Sequence, residues 1–106
     1  MGKIVIAAFK PKPGREEELL RVTADRLPLL RRLGLSTDRT NITMKSANGT
    51  ILDVSEWVDD DAIARAHETP EVLELWDRYE TCCEYVKLDT LEEIHHEFPT
   101  FDAVEL

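Results

Sequence analysis

The sequence contains no long apolar run and no glycine-rich loop, and each absence excludes a class of protein. Its N-terminal apolar run, from Ile4 to Phe9, is six residues long and is shorter than a membrane span or the core of a secretion signal. We therefore expect a cytoplasmic protein that makes no membrane contact. The four glycines stand apart from one another, so no phosphate-binding loop and no nucleotide cofactor are indicated.

Cysteine is also scarce, and the two cysteines, Cys82 and Cys83, are neighbours. A disulfide between adjacent residues is sterically strained, and there is no third cysteine to act as a partner. We therefore expect free thiols in a reducing compartment. Because Cys83 has no basic residue at helical spacing to activate it, the sequence favours an inert buried thiol over a nucleophile.

Basic residues are few in the second part of the chain. Residues 1–45 carry ten basic and five acidic side chains, and residues 46–106 carry three basic and seventeen acidic ones, which gives the net charge of −9. A chain without a basic stripe cannot neutralise phosphates, so nucleic acids and anionic membranes are not expected partners. With 42% hydrophobic residues and a length of 106, residues 1–106 should fold as one domain.

Apolar periodicity and turn signals predict the secondary structure. Asn48-Gly49 between two alternating segments indicates a β-hairpin, and Thr69-Pro70 indicates the start of a helix. Pro28 is expected to kink the first helix, and Gly34 is expected to end it in a Schellman motif. The predicted strands are residues 3–10, 41–47, 50–58 and 101–106, and the predicted helices are residues 15–33, 59–67, 70–86 and 90–98.

The main elements follow the order β-α-β-β-α-β, which is that of the ferredoxin-like α+β fold. In this fold a four-stranded antiparallel sheet carries both helices on one face. The third strand, however, shows Leu52 and Val54 on one side and Ile51 and Trp57 on the other. Because the helices can cover only one face, a second subunit should cover the other. The sequence therefore predicts a homodimer.

Several motifs resemble the antibiotic biosynthesis monooxygenase superfamily. They are Glu56-Trp57, Asp59-Asp60-Asp61-Ala62-Ile63, Ala66-His67 and Thr69-Pro70, with Lys12-Pro13-Gly14 before the first helix and Leu33-Gly34-Leu35 after it. The resemblance implies a dimeric α+β barrel. The superfamily includes cofactor-independent quinone-forming monooxygenases, haem-degrading enzymes and lactone isomerases. The haem-degrading members have an asparagine on the first strand, whereas this sequence has Ala7 and Ala8 there. The haem-degrading pattern is therefore not matched, and we expect no cofactor.

His67 is the candidate catalytic residue. At the end of a short helix its imidazole could accept a proton near neutral pH. The alternative is a structural role, in which the ring caps the turn between Ala66 and Thr69 by hydrogen-bonding to the backbone.

Trp57, Trp76 and Tyr79 are the candidate substrate-binding residues. Aromatic faces stack on planar molecules, so these three side chains could line a flat pocket between the sheet and the helices. The alternative is ordinary core packing of an aromatic stripe at helical spacing.

Glu56 should point to the opposite face of the sheet from Trp57, because side chains alternate along a strand. A carboxylate in that position needs a cationic or hydrogen-bonding partner. Lys10, Arg39 and Lys45 are the candidates.

Glu92, His95 and His96 form the segment with the most metal-ligand character. Glu92 and His96 would share one face of a helix, but two ligands are too few for a stable metal site. We therefore expect a solvated helix face and no tightly bound metal.

Two functional hypotheses follow from these residues. In the first, the protein is a cofactor-independent monooxygenase that acts on a small aromatic or quinol-like molecule in an apolar pocket. In the second, it is a non-catalytic dimeric module that binds a small molecule or has a structural role. A cavity of roughly 300 Å³ or more that touches His67 favours a ligand site, and a filled interior favours the structural module.

Overall fold

The structure is a computed structural model that describes residues 2–106. Helices and strands alternate along the described chain in a pattern close to the predicted one. Two short 3-10 turns, Leu88–Thr90 and Glu92–His95, lie before the last strand. The regular elements are β1 (Lys3–Pro11), α1 (Glu16–Arg32), β2 (Ile42–Lys45), β3 (Ile51–Trp57), α2 (Ala62–Ala66), α3 (Pro70–Cys82), β4 (Cys83–Tyr85) and β5 (Asp102–Ala103).

All strand pairs in the sheet are antiparallel, and the strand order is β4-β1-β3-β2-β5. The α+β class is therefore confirmed. The prediction of four strands is wrong, because the described residues form a sheet of five. The first four strands keep the ferredoxin-like order, and β5 is added beside β2.

The fourth strand lies at a different place in the chain from the one predicted. We expected Cys83 and Val86 to continue the apolar stripe of the second long helix, but α3 ends at Cys82 and the backbone of Cys83 is extended, with φ −152° and ψ 173°. Residues 83–85 instead form β4, which pairs with residues 9–11 of β1. The apolar spacing of so short a segment fits a helix and a strand equally well, and the partner strand decides between them.

The C-terminal region also departs from the prediction. A helix was expected over residues 90–98, but the chain forms only the two 3-10 turns there. The strand expected over 101–106 is reduced to β5, which pairs with Met44 and Lys45 of β2. This C-terminal segment, residues 86–101, crosses the sheet face that the helices leave open, and Leu91 is fully buried there.

Two predicted turns are confirmed. At the end of α1, Gly34 has φ +74°, and the amide of Leu35 donates to the carbonyl of Leu30 at 2.9 Å, as in a Schellman motif. At the hairpin, Gly49 has φ +92° and its amide donates to the carbonyl of Ser46 at 3.0 Å. Glycine tolerates these positive φ values because it has no Cβ.

The helices α1 and α3 cover one face of the sheet, which we call the helix face. Its core includes Phe9, Leu19, Val22, Ile51 and Tyr79, all of them buried. No helix within residues 2–106 combines the length and the apolar character needed to span a bilayer.

The other face, which we call the open face, is covered only in part. Ala8 and Leu52 are buried beneath Leu91 of the C-terminal segment. Towards the other end of the sheet, Ile4, Ile6 and Ile42 are exposed by 56%, 47% and 59%. The sequence missed this internal cover, because the C-terminal segment has no periodic signal that assigns it to a sheet face.

Candidate functional site

A cleft opens beside β1 because β4 is short. Strand β4 lies at the edge of the sheet and pairs only with residues 9–11 of β1. One further bond, from the amide of Val86 to the carbonyl of Ala8 at 3.1 Å, extends the contact. Within the described residues, no strand lies beside the remainder of that edge of β1. We call the resulting opening the β1 cleft.

The β1 cleft has a volume of about 450 Å³, which lies within the range of small-molecule sites. Strand β1 forms one side, α3 and the end of α2 form the other, and Tyr85 lies at the end of β4. Its lining includes Ala7, Phe9, His67, Trp76, Tyr79 and Tyr85.

The aromatic side chains of the cleft pack on one another. Phe9 and Tyr79 are stacked, with ring centroids 4.4 Å apart and planes at 15°. Tyr85 is tilted against both rings, at 5.8 Å from Phe9 and 6.4 Å from Tyr79. Phe9 and Tyr79 are buried beneath the cleft, so Tyr85 supplies most of the exposed aromatic surface of this group, on which a planar ligand could stack.

Tyr79 is held firmly in place. Its hydroxyl donates to Oγ1 of Thr23 at 3.2 Å, and that hydroxyl in turn donates to the carbonyl of Leu19 at 2.8 Å. Burial raises the pKa of Tyr79 well above its usual value, so the phenol stays neutral at physiological pH. Tyr79 is therefore a rigid, uncharged wall residue.

His67 is exposed at the rim of the cleft, directly after α2. Its ring meets Trp76 edge-on, with the centroids 4.8 Å apart and the planes at 63°. Within residues 2–106 the imidazole makes no hydrogen bond, and only the backbone amide of His67 bonds to α2, by donating to the carbonyl of Ile63 at 3.2 Å. The geometry therefore gives no support to the capping role, and the ring is free to meet a ligand.

Trp57 does not line the β1 cleft. It is buried in a neighbouring part of the core together with Leu27 and Leu35, and its Nε1 has no hydrogen-bond partner among residues 2–106. Of the four predicted site residues, the cleft thus brings together His67, Trp76 and Tyr79. Trp57 lies on the same sheet face, but further along β3.

Arg26 lines the cleft as well, and sequence reasoning missed it. It projects from α1 and is only 5% exposed. Its Nη1 donates to Oδ2 of Asp53 and to Oγ of Ser55, both at 3.1 Å on β3. A signal was present in the sequence, since Arg26 interrupts the apolar stripe of the first helix and Asp53 alternates inward with Ile51.

Asp53 is held from its other side by two polar neighbours. Its Oδ1 accepts from Nδ2 of Asn41 at 2.9 Å and from Oγ1 of Thr43 at 2.8 Å. A fully buried carboxylate needs such partners, because an unpaired charge in the core is costly. Both carboxylate oxygens of Asp53 are therefore hydrogen-bonded, and Asp53 holds the guanidinium of Arg26 in position instead of serving as a catalytic acid.

The cysteines are buried away from solvent and unpaired with each other. Burial, with a smaller contribution from the neighbouring Cys82, raises the pKa of Cys83 to about 12. Such a thiol is protonated at neutral pH, and the thiolate is the nucleophilic form. Neither cysteine lines the β1 cleft.

The Glu92–His95 turn has local structural contacts. The carboxylate of Glu93 accepts from the amide of Ala47 at 2.8 Å, and the ring of His95 lies 3.1 Å from the carbonyl of Asp89. Across residues 2–106, no three His, Cys, Asp or Glu side chains are grouped so that they could hold a metal ion.

The geometry defines an α+β domain with a ligand-sized aromatic cleft at one sheet edge. Compared with known proteins, the chain matches no family model, no curated protein and no solved structure.

Proposed function

We propose that the β1 cleft binds a small planar aromatic molecule of the quinol type, and that the protein oxidises this molecule with O₂ without a bound cofactor. The observation that supports the proposal is the convergence of His67, Trp76 and Tyr79 on one cleft of about 450 Å³. Its volume exceeds the 300 Å³ or so that a small-molecule site needs. The resemblance to the antibiotic biosynthesis monooxygenases is consistent with the same chemistry.

The role proposed for His67 is that of a proton acceptor. The imidazole removes the proton of a ring hydroxyl, which makes the aromatic ring electron-rich enough to react with O₂ at a C–H carbon. The resulting hydroperoxide loses water and leaves a carbonyl in place of that C–H bond. One oxygen atom of O₂ enters the quinone, and the other leaves in water together with the proton from His67.

A binding function without catalysis is the second candidate, and one observation favours it. An active-site base is usually oriented by a further hydrogen-bonding group, and the ring of His67 has none among the described residues. Its edge-on contact with Trp76 restrains the ring without fixing which nitrogen carries the proton.

A fluorescence titration with substituted hydroquinones tests the proposal. A ligand in the cleft should quench Trp76 more strongly than Trp57, because Trp76 lies in the lining whereas Trp57 lies behind Arg26. Trp76→Phe should therefore remove most of the quenching, whereas Trp57→Phe should keep it. The absence of saturable quenching across the series would contradict ligand binding at this cleft.

Oxygen uptake separates the two candidates. Ligand-dependent consumption of O₂ by metal-free protein supports the monooxygenase. Saturable binding with no oxygen uptake above the rate without protein supports the binding module instead.

We also propose that a second copy of the chain covers the remaining part of the open face. The support is the exposed apolar cluster of Ile4, Ile6 and Ile42, which lies on the face that carries no helix. An apolar group of this kind on a sheet face is typical of an interface. Light scattering should give a mass of twice 12.2 kDa at micromolar concentration.

A further inference from the structure

Arg26 combines deep burial with a place in the wall of the β1 cleft. Its side chain crosses from α1 to the sheet, where Nη1 donates hydrogen bonds to both Asp53 and Ser55. A guanidinium carries five N–H donors in a planar fork, so one nitrogen alone does not satisfy it.

The guanidinium lies over the Trp57 ring, with Cζ 5.9 Å from the centroid, but its other two nitrogens have no hydrogen-bond partner among the described residues. Within residues 2–106, neither Nε nor Nη2 of Arg26 donates a hydrogen bond. The fully enclosed polar side-chain atoms without a partner are Thr50 Oγ1 and Trp57 Nε1, so the free nitrogens of Arg26 retain access to open space. Because Arg26 lines the cleft, that open space is the ligand cavity.

We infer that Arg26 binds the carboxylate of an aromatic acid in the β1 cleft, so that the preferred ligand is a hydroxylated benzoate and not a neutral quinol. The inference rests on the proposed ligand site and adds the chemical class of the ligand. Two neighbouring N–H groups of a guanidinium match the two oxygens of a carboxylate in a bidentate pair. The aromatic ring then lies beside Trp76 and Tyr85, which line the cleft and are not buried.

The negative charges near Arg26 reduce the electrostatic gain from a ligand carboxylate, but they leave hydrogen-bond donors of the guanidinium free for it. The carboxylate of Asp53 meets Nη1 and also accepts from Asn41 and Thr43, which leaves the rest of the guanidinium for a second anion. Glu80 is the other acidic residue of the cleft, and its side chain is exposed, where water and salt screen it.

Two matched probes test the inference on the wild-type protein, namely 2,5-dihydroxybenzoate and its methyl ester. They share the ring and both hydroxyls, and only the acid is charged at neutral pH. We expect the acid to bind about tenfold more tightly or better, as a charge-assisted pair requires. Equal affinity would overturn the carboxylate assignment and leave the proposed ligand site standing, and binding of neither probe would overturn both.

The variant Arg26→Gln/Asp53→Asn provides the second measurement. It keeps the net charge unchanged and replaces the buried ion pair by two amides that can still hydrogen-bond to each other. The ratio of the two affinities, acid over ester, should fall to less than about twofold. A preference that survives in the folded variant would overturn the role of Arg26, and if the variant does not fold, the wild-type comparison decides.

Discussion

Arg26 on α1 and Asp53 on β3 form an ion pair inside the protein, with Nη1 and Oδ2 3.1 Å apart and both side chains buried. The pair joins the helix layer to the sheet directly behind the β1 cleft. It therefore links the stability of the domain to the geometry of the candidate site.

The first prediction concerns the energetics of this pair. Arg26→Gln alone should lower the free energy of unfolding by about 3 kcal/mol, because it leaves the charge of Asp53 buried and unpaired. The double variant Arg26→Gln/Asp53→Asn should recover at least about 1 kcal/mol of that loss. Urea denaturation of the wild type and the two variants measures both differences, and a double variant no more stable than Arg26→Gln would contradict this account of the pair.

The second prediction concerns Thr50, which is fully buried and has an unpaired hydroxyl. Thr50→Val keeps the shape of the side chain and removes the unsatisfied oxygen, so it should raise the free energy of unfolding by about 1 kcal/mol. Thr43→Val is the matched control. Its hydroxyl donates to Asp53, so the same substitution should lower the stability by about 2 kcal/mol. A loss of stability in both variants would show that Thr50 has an unseen partner.

The third prediction is that both thiols are unreactive in the native protein. Cys82 and Cys83 are buried, and burial raises the pKa of both, that of Cys83 to about 12. A chromogenic disulfide reagent at pH 8 should therefore react far more slowly than with free cysteine. Unfolding in urea should release two thiols per chain. Rapid labelling of the folded protein would contradict the buried placement.

The fourth prediction separates catalysis by His67 from packing by His67. His67→Ala should change the stability by no more than about 0.5 kcal/mol, since the ring is exposed and makes one aromatic contact. It should also suppress ligand-dependent oxygen uptake. His67→Phe keeps a ring against Trp76 but has no proton acceptor, so it should be equally inactive. Full activity in the phenylalanine variant would assign His67 a packing role.

The fifth prediction concerns the homodimer. Ile42→Asp places a charge on the exposed part of the open face and should convert the expected dimer into a 12.2 kDa monomer. Leu73→Asp is the control, because Leu73 is 42% exposed on α3, away from that face. Light scattering measures both masses. A wild-type monomer at micromolar concentration would contradict the predicted dimer, whose interface we expect to bury roughly 1,200 Å² or more.

Local signals in the sequence predicted much of the fold. The Schellman motif at Gly34 and the hairpin at Gly49 are confirmed because each depends on a backbone conformation that only a few residues favour. Alternation along β3 also predicted that Glu56 faces away from Trp57. Its carboxylate accepts from Arg39 at 3.0 Å, so one of the three proposed cations is its partner.

The remaining features depend on contacts between distant parts of the chain. Residues 83–85 become a strand because β1 offers an edge, which no local pattern records. Leu91 is buried for a similar reason, since its place is set by the sheet beneath it. Among the candidate site residues, Trp57 is as aromatic as Trp76. It lies outside the cleft because its position in β3, opposite Lys3, is beyond the part of β1 that lines the cleft.

The C-terminal segment fixes how any second sheet could lie on this one. Leu91 and its neighbours occupy the area above Ala8 and Leu52, so another sheet cannot be centred there. It must be displaced towards Ile4 and Ile42, at the opposite end of the strands. Two such sheets related by a twofold axis would stack off-centre, each C-terminal segment acting as a spacer at one end of the assembly.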